Sequence, residues 1–323
     1  MRILITGASG FIGHHLVELL HKEGFEIKCL VRKTSKVDEI KDKVKLVYGE
    51  VTIPSSLEEA VKDVDYIIHA AGVVKAVSSK HYYLVNTQGT INLFNATLRF
   101  NPNIKRFVFI SSQAASAPST EPISEGFPPS PVTSYGKSKL ASEKFLEENL
   151  SKLPITIIRP CSVYGPYDKE FLPIYKMINL GVELLVKGGK TKLSMVYVKD
   201  LAKSILLAMT SETTIGKKYF SAHPEVVYLS DFYKLIEKAL GKKFVLRIPT
   251  PVSLLYFFSV FTTLFSRITN HPIMFNLEKV NELKNSWVCS SENLIRDTGM
   301  KYEYNLETGV EETIKWLKEK KLL

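Results

Sequence analysis

The sequence predicts an α/β fold, with a doubly wound parallel sheet and a smaller, mainly C-terminal α/β unit. In the first half of the chain, short β-branched runs alternate with helical patterns. The strands are apolar almost throughout, which is typical of a parallel sheet covered on both faces. The segments between strands are long enough for the crossovers that parallel pairing requires. The predicted strands are Arg2–Thr6, Glu26–Val31, Lys45–Tyr48, Tyr66–His69, Arg106–Ile110 and Ile155–Arg159.

Apolar residues at helical spacing lie between these strands and predict the helices that cover the sheet. After about Pro166 the alternation fades and turn residues become frequent. We assign residues 1–166 and about 194–222 to the doubly wound unit, and about 167–193 and 223–323 to the smaller one. The predicted helices are Ile12–Glu23, Ser56–Val61, Thr87–Phe100, Ser134–Leu150, Leu229–Ala239 and Thr308–Lys318.

The composition is that of a globular protein. Of the 323 residues, 45% are apolar and 24% are charged, which excludes disordered and collagen-like chains. Cys29, Cys161 and Cys289 lie far apart, without the spacing of metal ligands or of a disulfide framework. We therefore expect no metal and a reducing, cytoplasmic compartment. The chain starts directly with a strand rather than an apolar signal region, so no secretory leader is expected.

Basic residues outnumber acidic ones by 43 to 33, giving a net charge of +10. Such an excess suits nucleic acid, an anionic membrane or an anionic cofactor. The two dense basic patches, Arg32–Lys45 and Lys315–Lys321, do not interleave aromatic residues as single-strand binders do. We therefore expect no nucleic-acid partner.

One long segment, from Ile248 to Ser266, contains no charged residue. Pro249, Pro251 and several Ser and Thr residues argue against a membrane-spanning helix. The segment is expected to form a helix that packs or lines a pocket. The alternative is peripheral membrane contact through residues 252–267, with Arg267 at the edge of a surface helix.

A glycine-rich turn follows the first strand and opens the first helix. Gly7 permits a tight turn, Gly10 allows a pyrophosphate to approach the backbone, and Gly13 allows the helix to pack closely on the sheet. The free N–H groups at the helix N-terminus favour phosphate. The pattern predicts a dinucleotide site in a Rossmann-type unit, with the smaller unit binding the substrate. The turn also contains Ser9, Phe11 and Ile12.

The end of the second strand indicates which dinucleotide is bound. An NAD site usually has an acidic residue there, but this strand is followed by Arg32 and Lys33. A guanidinium group matches the geometry of a 2′-phosphate. We therefore expect NADP(H) to be preferred, with NAD(H) as the alternative cofactor and a solvated surface charge as the alternative role of Arg32.

A second group of residues carries acid–base chemistry. Tyr135 and Lys139 lie four residues apart on a predicted helix and so share one face. A nearby ammonium and an oxidised nicotinamide would lower the pKa of the phenol, which could then exchange a proton with an alcohol or carbonyl. The hydroxyl of Ser111 or Ser112, at the end of a strand, could bind the same substrate oxygen.

With these motifs in this order, the chain resembles the extended short-chain dehydrogenase/reductase superfamily nearly end to end. Further similar segments are His69–Gly72, Asn86–Thr90, Arg159–Pro166 and Val196–Ala202. The resemblance implies that Tyr135 is the proton donor, that Lys139 holds the nicotinamide ribose, and that Ser112, with Ser111 as runner-up, orients the substrate. It also implies that the cofactor is lined by Glu50, Val51, Ala70, Ala71, Gly72, Asn86, Ser111, Pro160 and Ser162.

The same resemblance implies a homodimer formed through the helices Thr87–Phe100 and Ser134–Leu150. Substrate class is less determined. Leu193 stands where nucleotide-sugar enzymes of the superfamily commonly have Arg, and Cys161-Ser162 replaces their Asn. Together with the apolar segment, this resembles the dihydroflavonol reductase and 3β-hydroxysteroid dehydrogenase branches, although Lys187, Lys190 and Lys192 could still bind a diphosphate.

We therefore expect an NAD(P)-dependent oxidoreductase that interconverts a secondary alcohol and a ketone on a small apolar substrate. One alternative is a nucleotide-sugar epimerase or dehydratase. The other is an NADP(H)-binding sensor or structural subunit without catalytic activity.

Overall fold

The strands of the computed structural model, which describes residues 1–273 and 275–323, alternate with helices through the first half of the chain. Strands of five or six residues predominate, as expected for a buried parallel sheet. They are β1 (Arg2–Thr6), β2 (Glu26–Val31), β3 (Lys45–Tyr48), β4 (Tyr66–His69), β5 (Arg106–Ile110), β6 (Ser119–Ile123), β7 (Ile155–Pro160), β8 (Ser162–Tyr164), β9 (Val182–Val186), β10 (Lys192–Tyr197), β11 (Lys217–Ser221), β12 (Val226–Tyr228), β13 (Leu246–Thr250) and β14 (Trp287–Cys289).

The helices vary from single turns to an 18-residue helix near the C-terminal third of the chain. They are α1 (Phe11–Lys22), α2 (Glu58–Val61), α3 (Ser79–Tyr82), α4 (Gly89–Phe100), α5 (Ser134–Glu147), α6 (Leu172–Asn179), α7 (Val198–Thr210), α8 (Leu229–Leu240), α9 (Val252–Thr269), α10 (Leu277–Leu283), α11 (Glu292–Thr298) and α12 (Leu306–Glu319). A π-helical turn, Tyr83–Gln88, joins α3 to α4.

The main sheet has seven strands in the order β11-β7-β5-β4-β1-β2-β3, and every pair is parallel. The chain runs outward from β1 through β2 and β3, then crosses back to β4 on the other side of β1. This reversal confirms the doubly wound, Rossmann-type fold class. It also opens a crevice at the carboxyl ends of β1 and β4, where such sheets bind ligands.

Apolar side chains alternate between the two faces of the main sheet. On one face, Ile3 and Ile5 pack in a cluster with Leu16 of α1. On the other face, Leu4 packs in a cluster with Phe94 of α4. Both faces are therefore covered by helices, which explains why the strands are apolar almost throughout.

A second sheet has the order β12-β10-β14-β6, with β8 paired to β10, and β9 pairs with β13 in a separate two-stranded ribbon. Strand β10 begins near the start of the stretch 194–222 that was assigned to the main unit, but it belongs to this second sheet. Strand β6 also belongs to it, although it lies within residues 1–166. The residue bounds of the two units remain a prediction.

The predicted strands of the main sheet agree closely with the structure, and the predicted helices differ mainly at their ends. The largest difference is in the segment predicted as Ser56–Val61. There, Pro54–Ser56 forms a 3₁₀ turn and α2 covers only Glu58–Val61. Proline fixes its own φ and has no N–H, so it favours a separate tight turn before the short helix.

Two glycines in the turn between β1 and α1 are required by close backbone contacts. Gly7 has φ +78°, and a Cβ there would lie 2.7 Å from the Ala70 carbonyl carbon and the Ala71 nitrogen. A Cβ on Gly13 would lie 2.2 Å from the Gly7 oxygen. The first turn of α1 therefore lies directly against the end of β1.

We expect Gly13→Ala to lower the free energy of unfolding by about 3 kcal/mol, because the added Cβ meets backbone that cannot move without deforming the turn. Urea unfolding checks this. The control is Gly126→Ala, where no described atom lies within 4 Å of the added Cβ and the change should be below about 0.5 kcal/mol. Equal stability of the two variants would contradict the close contact.

Candidate functional site

The N-terminus of α1 presents backbone N–H groups at the carboxyl edge of the main sheet. Gly10 precedes the helix, no described side chain caps it, and the first turn contains no acidic residue. Ser9 and Gly10 are exposed, and Phe11 and Ile12 are half-buried. A helix start with free N–H donors and no competing carboxylate is a suitable site for phosphate.

The segment after β4 forms the next wall of the same crevice. The parallel register sets Thr6 beside His69, so Gly7 and Ala70–Gly72 leave the sheet together. Asn86, in the π-helical turn, holds this segment: its amide oxygen accepts from the Val73 N–H at 2.8 Å and its Nδ2 donates to the Val73 carbonyl at 3.1 Å. The predicted cofactor residue Asn86 is itself 1% exposed, so its side chain positions the loop.

These features fit a dinucleotide. A side chain at Gly7 would collide with the backbone of Ala70 and Ala71, and one at Gly13 would collide with the backbone of the turn itself. A Cβ on Gly72 would lie 3.1 Å from Asn86 Oδ1 and 3.7 Å from Lys139 Nζ. Glycine at these positions leaves a concave surface lined by free N–H groups. Such a surface allows a pyrophosphate and the adjoining sugars to approach the backbone.

The ends of β2 and β3 lie beside this crevice. Arg32 and Lys33 are exposed, and the Arg32 side chain has no hydrogen bond or ion pair with any described residue. Its backbone N–H donates to Ser35 Oγ, which holds the turn. Glu50 is half-buried and Val51 is buried after β3, where the Val51 carbonyl accepts from Asn92 Nδ2 at 2.9 Å.

Tyr135 lies in the first turn of α5, which begins after Thr133. The Thr133 hydroxyl accepts from the Gly136 N–H at 3.0 Å and so caps the helix. Burial raises the pKa of the Tyr135 phenol to about 12, and a hydrogen bond with Ser112 opposes this rise. In the free protein the pKa is thus raised rather than lowered, and the lowering expected from the Lys139 ammonium together with an oxidised nicotinamide concerns the complex and remains a prediction.

Lys139 lies one helical turn after Tyr135 and is buried. Its Nζ donates to the Ile110 carbonyl at 2.6 Å and lies 4.5 Å from the centre of the Phe109 ring. Burial lowers the pKa of Lys139 to about 8, although the Glu143 carboxylate opposes the shift. The structure thus brings Ser112, Tyr135 and Lys139 to the carboxyl end of β5.

A buried ion pair distinguishes the two serines at this strand end. Arg159 of β7 makes a bidentate contact with Glu143 of α5, with Nε–Oε1 at 2.8 Å and Nη2–Oε2 at 2.6 Å. Ser111 donates to the same Glu143 carboxylate at 2.5 Å. The Ser111 hydroxyl is thus occupied within the protein, which favours Ser112 as the serine that meets a substrate. Pro160 and Ser162 follow Arg159 at the same edge.

Helix α10 also reaches the start of α5, which the sequence did not predict. Glu278 accepts hydrogen bonds from the N–H and the hydroxyl of Ser134, the latter at 2.5 Å. Glu282, on the same helix, is close enough for its charge to raise the pKa of Tyr135. The two contacting segments are 144 residues apart, and no local signal in α10 indicates the contact.

Among the described residues, no three His, Cys, Asp or Glu side chains lie close enough together to hold a metal ion. His69 is enclosed between Thr6 Oγ1, at 2.7 Å from Nδ1, and Thr90 Oγ1, at 3.0 Å from Nε2. Burial lowers the pKa of His69 to about 3. His69 is therefore a neutral structural link between β1, β4 and α4.

A sequence model of the NAD dependent epimerase/dehydratase family matches residues 3–220. The chain belongs to this family. The match confirms the resemblance to the extended short-chain dehydrogenase/reductase superfamily and the prediction that the chain is an enzyme, of the NAD-dependent dehydrogenase and epimerase type.

Relatives of this family member act on different substrates. The chain is 28% identical to a ceramide reductase of Caulobacter vibrioides, over 97% of the chain and 93% of the relative. It is 24% identical to a sterol-4-alpha-carboxylate 3-dehydrogenase of Candida albicans, over 98% and 97% of the two chains. The solved structure of Thermus thermophilus UDP-glucose 4-epimerase in complex with NAD is similar in fold, with a TM-score of 0.78 and 23% identity over 98% and 99% of the chains.

The lowered pKa of Lys139 predicts a pH dependence of stability. Its pKa rises from about 8 in the folded protein to an ordinary 10.5 on unfolding, so between these values the unfolded chain binds more protons. The stability contributed by this residue therefore rises with pH. From pH 8 to pH 10, the free energy of unfolding should rise by about 2 kcal/mol more in the wild type than in Lys139→Met. Urea unfolding at both pH values measures this, and a pH-independent difference would refute the shift.

Proposed function

We propose that this family member is an NADP(H)-preferring oxidoreductase that interconverts a secondary alcohol and a ketone on a small apolar substrate. The observation that carries the proposal is the meeting of Tyr135, Ser112 and Lys139 at the sheet edge where the glycine-rich turn opens. A proton donor beside a dinucleotide cradle supports hydride-transfer chemistry at a carbonyl.

Different residues of the crevice would bind different parts of the cofactor. The backbone of the glycine-rich turn would hold the pyrophosphate, Lys139 the nicotinamide ribose and Arg32 the 2′-phosphate. When bound, the nicotinamide supplies or accepts the hydride. The exposed Arg32 guanidinium has its donors free of other described residues, which supports the preference for NADP(H) over NAD(H).

Tyr135 would donate the proton to the substrate oxygen or accept it, depending on the direction of the reaction. Its raised pKa keeps the phenol protonated near neutral pH in the free protein, so it can donate to the oxygen of a ketone as the alcohol forms. Ser112 would bind the same oxygen and orient it. In the reverse direction, the phenolate would accept the proton of the alcohol, and the ammonium of Lys139 would stabilise that charge.

The apolar substrate class rests on the residues around β10 and on the relatives. Leu193 is half-buried on β10, and the neighbouring Lys192 is held by the Thr120 carbonyl and the Glu121 carboxylate, each at 3.2 Å. Lys187 likewise donates to the Lys284 carbonyl at 3.1 Å. Two of the three lysines considered for a diphosphate are thus occupied within the protein, and only the side chain of the exposed Lys190 has no partner among the described residues, which weakens a diphosphate site. The two relatives named above as ceramide and sterol enzymes act on lipids. The cytoplasmic location and the homodimer remain proposals based on the sequence.

We expect Tyr135→Phe to lower turnover at least about 100-fold while NADPH affinity stays within about twofold, because only the proton donor is lost. NADPH absorbance with 2-undecanone and 5α-cholestan-3-one as probe ketones measures turnover, and fluorescence titration measures affinity. Tyr66→Phe is the control, because Tyr66 begins β4 at the opposite edge of the sheet. Conversion of UDP-glucose to UDP-galactose by a protein that reduces neither ketone would favour the epimerase alternative.

Replacing Arg32 by Ala should weaken NADPH binding by about 10- to 100-fold and NADH binding by less than about threefold, because only NADPH carries the 2′-phosphate. Fluorescence titrations with both dinucleotides test this. Lys152→Ala removes an exposed cation between α5 and β7, at the opposite edge of the sheet, and should change neither affinity. If Arg32→Ala weakened the binding of NADPH and NADH equally, Arg32 would not be the residue that binds the 2′-phosphate.

A further inference from the structure

Helix α9 turns its apolar residues outward. It is the one helix of the described chain long and apolar enough to cross a membrane by length and composition, with a mean hydropathy of 1.4. Phe257, Phe261 and Phe265 are 58%, 56% and 60% exposed. We call the exposed stripe the apolar face of α9; it comprises Leu254, Phe257, Phe258, Phe261, Leu264, Phe265 and Ile268.

The opposite side of α9 is partly polar and holds the helix to the protein body. Ser259 and Ser266 are buried, and Ser266 donates to the His271 carbonyl at 2.6 Å. Tyr256 donates to Asn281 of α10 at 2.5 Å and accepts from Lys284 at 3.0 Å. A core helix of a soluble protein has the reverse arrangement, so the apolar face of α9 is built to contact something apolar.

Strand β13, which leads into α9, continues the apolar surface. Leu246 and Ile248 lie two residues apart and so share one side of the strand, and both are exposed. Phe244, just before the strand, is 78% exposed, and Leu180 lies beside Gly181, whose carbonyl accepts from the Leu246 N–H at 2.9 Å. Exposed apolar side chains thus also occur on the segment that leads into the helix.

Along the chain, the charged residues of this segment have one sign. From residue 238 to residue 277 the sequence contains no Asp or Glu, but it contains Lys238, Lys242, Lys243, Arg247 and Arg267. Lys238 and Arg247 form ion pairs with glutamates. Lys242, Lys243 and Arg267 form no ion pair with any described residue. Lys242 and Lys243 precede β13, and Arg267 lies in the last turn of α9, so free cations flank the exposed apolar segment along the chain. Such cations are complementary to the headgroups of an anionic bilayer.

We propose that the apolar face of α9 and the adjoining side of β13 dock the protein on the surface of an anionic lipid bilayer. The helix would lie in the interface, with its serine side toward the protein and its phenylalanines among the acyl chains. The contacts of Tyr256 with α10 keep the helix on the protein body. Because α10 also touches Ser134, the bilayer would lie one helix away from Tyr135.

Flotation of the full chain with phosphatidylcholine vesicles containing 30% phosphatidylglycerol tests the docking without cofactor or substrate. The wild type should float with the vesicles. The variant Phe257→Ser/Phe261→Ser/Phe265→Ser should show a partition coefficient at least about 30-fold lower, because three half-exposed aromatic rings no longer enter the lipid. Ile215→Ser is the control and should bind as the wild type does, because Ile215 is an exposed apolar residue far from α9 in the chain, two residues before β11.

The charge contribution has its own variant. Lys242→Glu/Lys243→Glu should reduce binding to the anionic vesicles at least about tenfold and should change binding to pure phosphatidylcholine much less. Far-UV circular dichroism and NADPH affinity confirm that the variants are folded. A wild type that stays out of the vesicle fraction, or a triple variant that floats equally well, would overturn the proposal.

Self-association is the competing use of the apolar face. The wild type could form a dimer and fail to bind vesicles, while the triple serine variant is a monomer. That result would overturn membrane docking and assign the apolar face of α9 to a second copy of the chain. Analytical ultracentrifugation without lipid distinguishes this outcome.

The route of the substrate rests on the proposed function and needs a separate measurement. If apolar substrates enter from the bilayer, the triple serine variant should lose most turnover of 5α-cholestan-3-one presented in vesicles and keep its turnover of the more soluble 2-undecanone. Vesicle binding by a protein that reduces neither ketone would refute the oxidoreductase function and support the docking surface.

Discussion

The helix that carries Tyr135 is held to the sheet mainly by hydrogen bonds and one ion pair. Four polar side chains lie on its buried side. The Ser138 hydroxyl accepts from the Asn86 amide, and the Lys139 ammonium donates to the Ile110 carbonyl. The Ser142 hydroxyl donates to the Asn86 carbonyl, and the Glu143 carboxylate accepts from Arg159. A buried polar group that loses its partner costs about 1–3 kcal/mol, so few settings of α5 satisfy all four groups together. This network sets where Tyr135 lies relative to the sheet edge.

The same network couples α5 to the predicted cofactor cradle. Asn86 binds the segment after β4 with its side chain and Ser138 of α5 with the same amide group. Its carbonyl accepts from Thr90 and Ser142. A π-helical turn directs this one residue toward both elements, and such turns often occur at functional sites. Movement of α5 would therefore disturb the loop around Gly72, and the two halves of the site form one unit.

Helix α9 differs in packing from the helices that cover the main sheet. In the two clusters on either face of that sheet, large apolar side chains lie inside. In α9 the serines face inward and the phenylalanines face outward. Exposed apolar area on this scale destabilises a protein in water but becomes favourable against hydrocarbon. On the proposed docking, the net charge of +10 would serve at a lipid surface as well as at an anionic cofactor.

Six of the seven strands of the main sheet, the glycine-rich turn and the spacing of Tyr135 and Lys139 follow from the sequence alone, whereas β11 was not predicted. These features depend on local periodicity and on backbone sterics, so each can be predicted from a short stretch of sequence. The tertiary structure decided that Ser111 is occupied by Glu143, that Glu278 binds the start of α5, and that α9 faces outward. Each of these is a contact, or a missing contact, between segments far apart in the chain. An apolar helix has the same sequence pattern whether its surroundings are protein or not, and only packing reveals which side is covered.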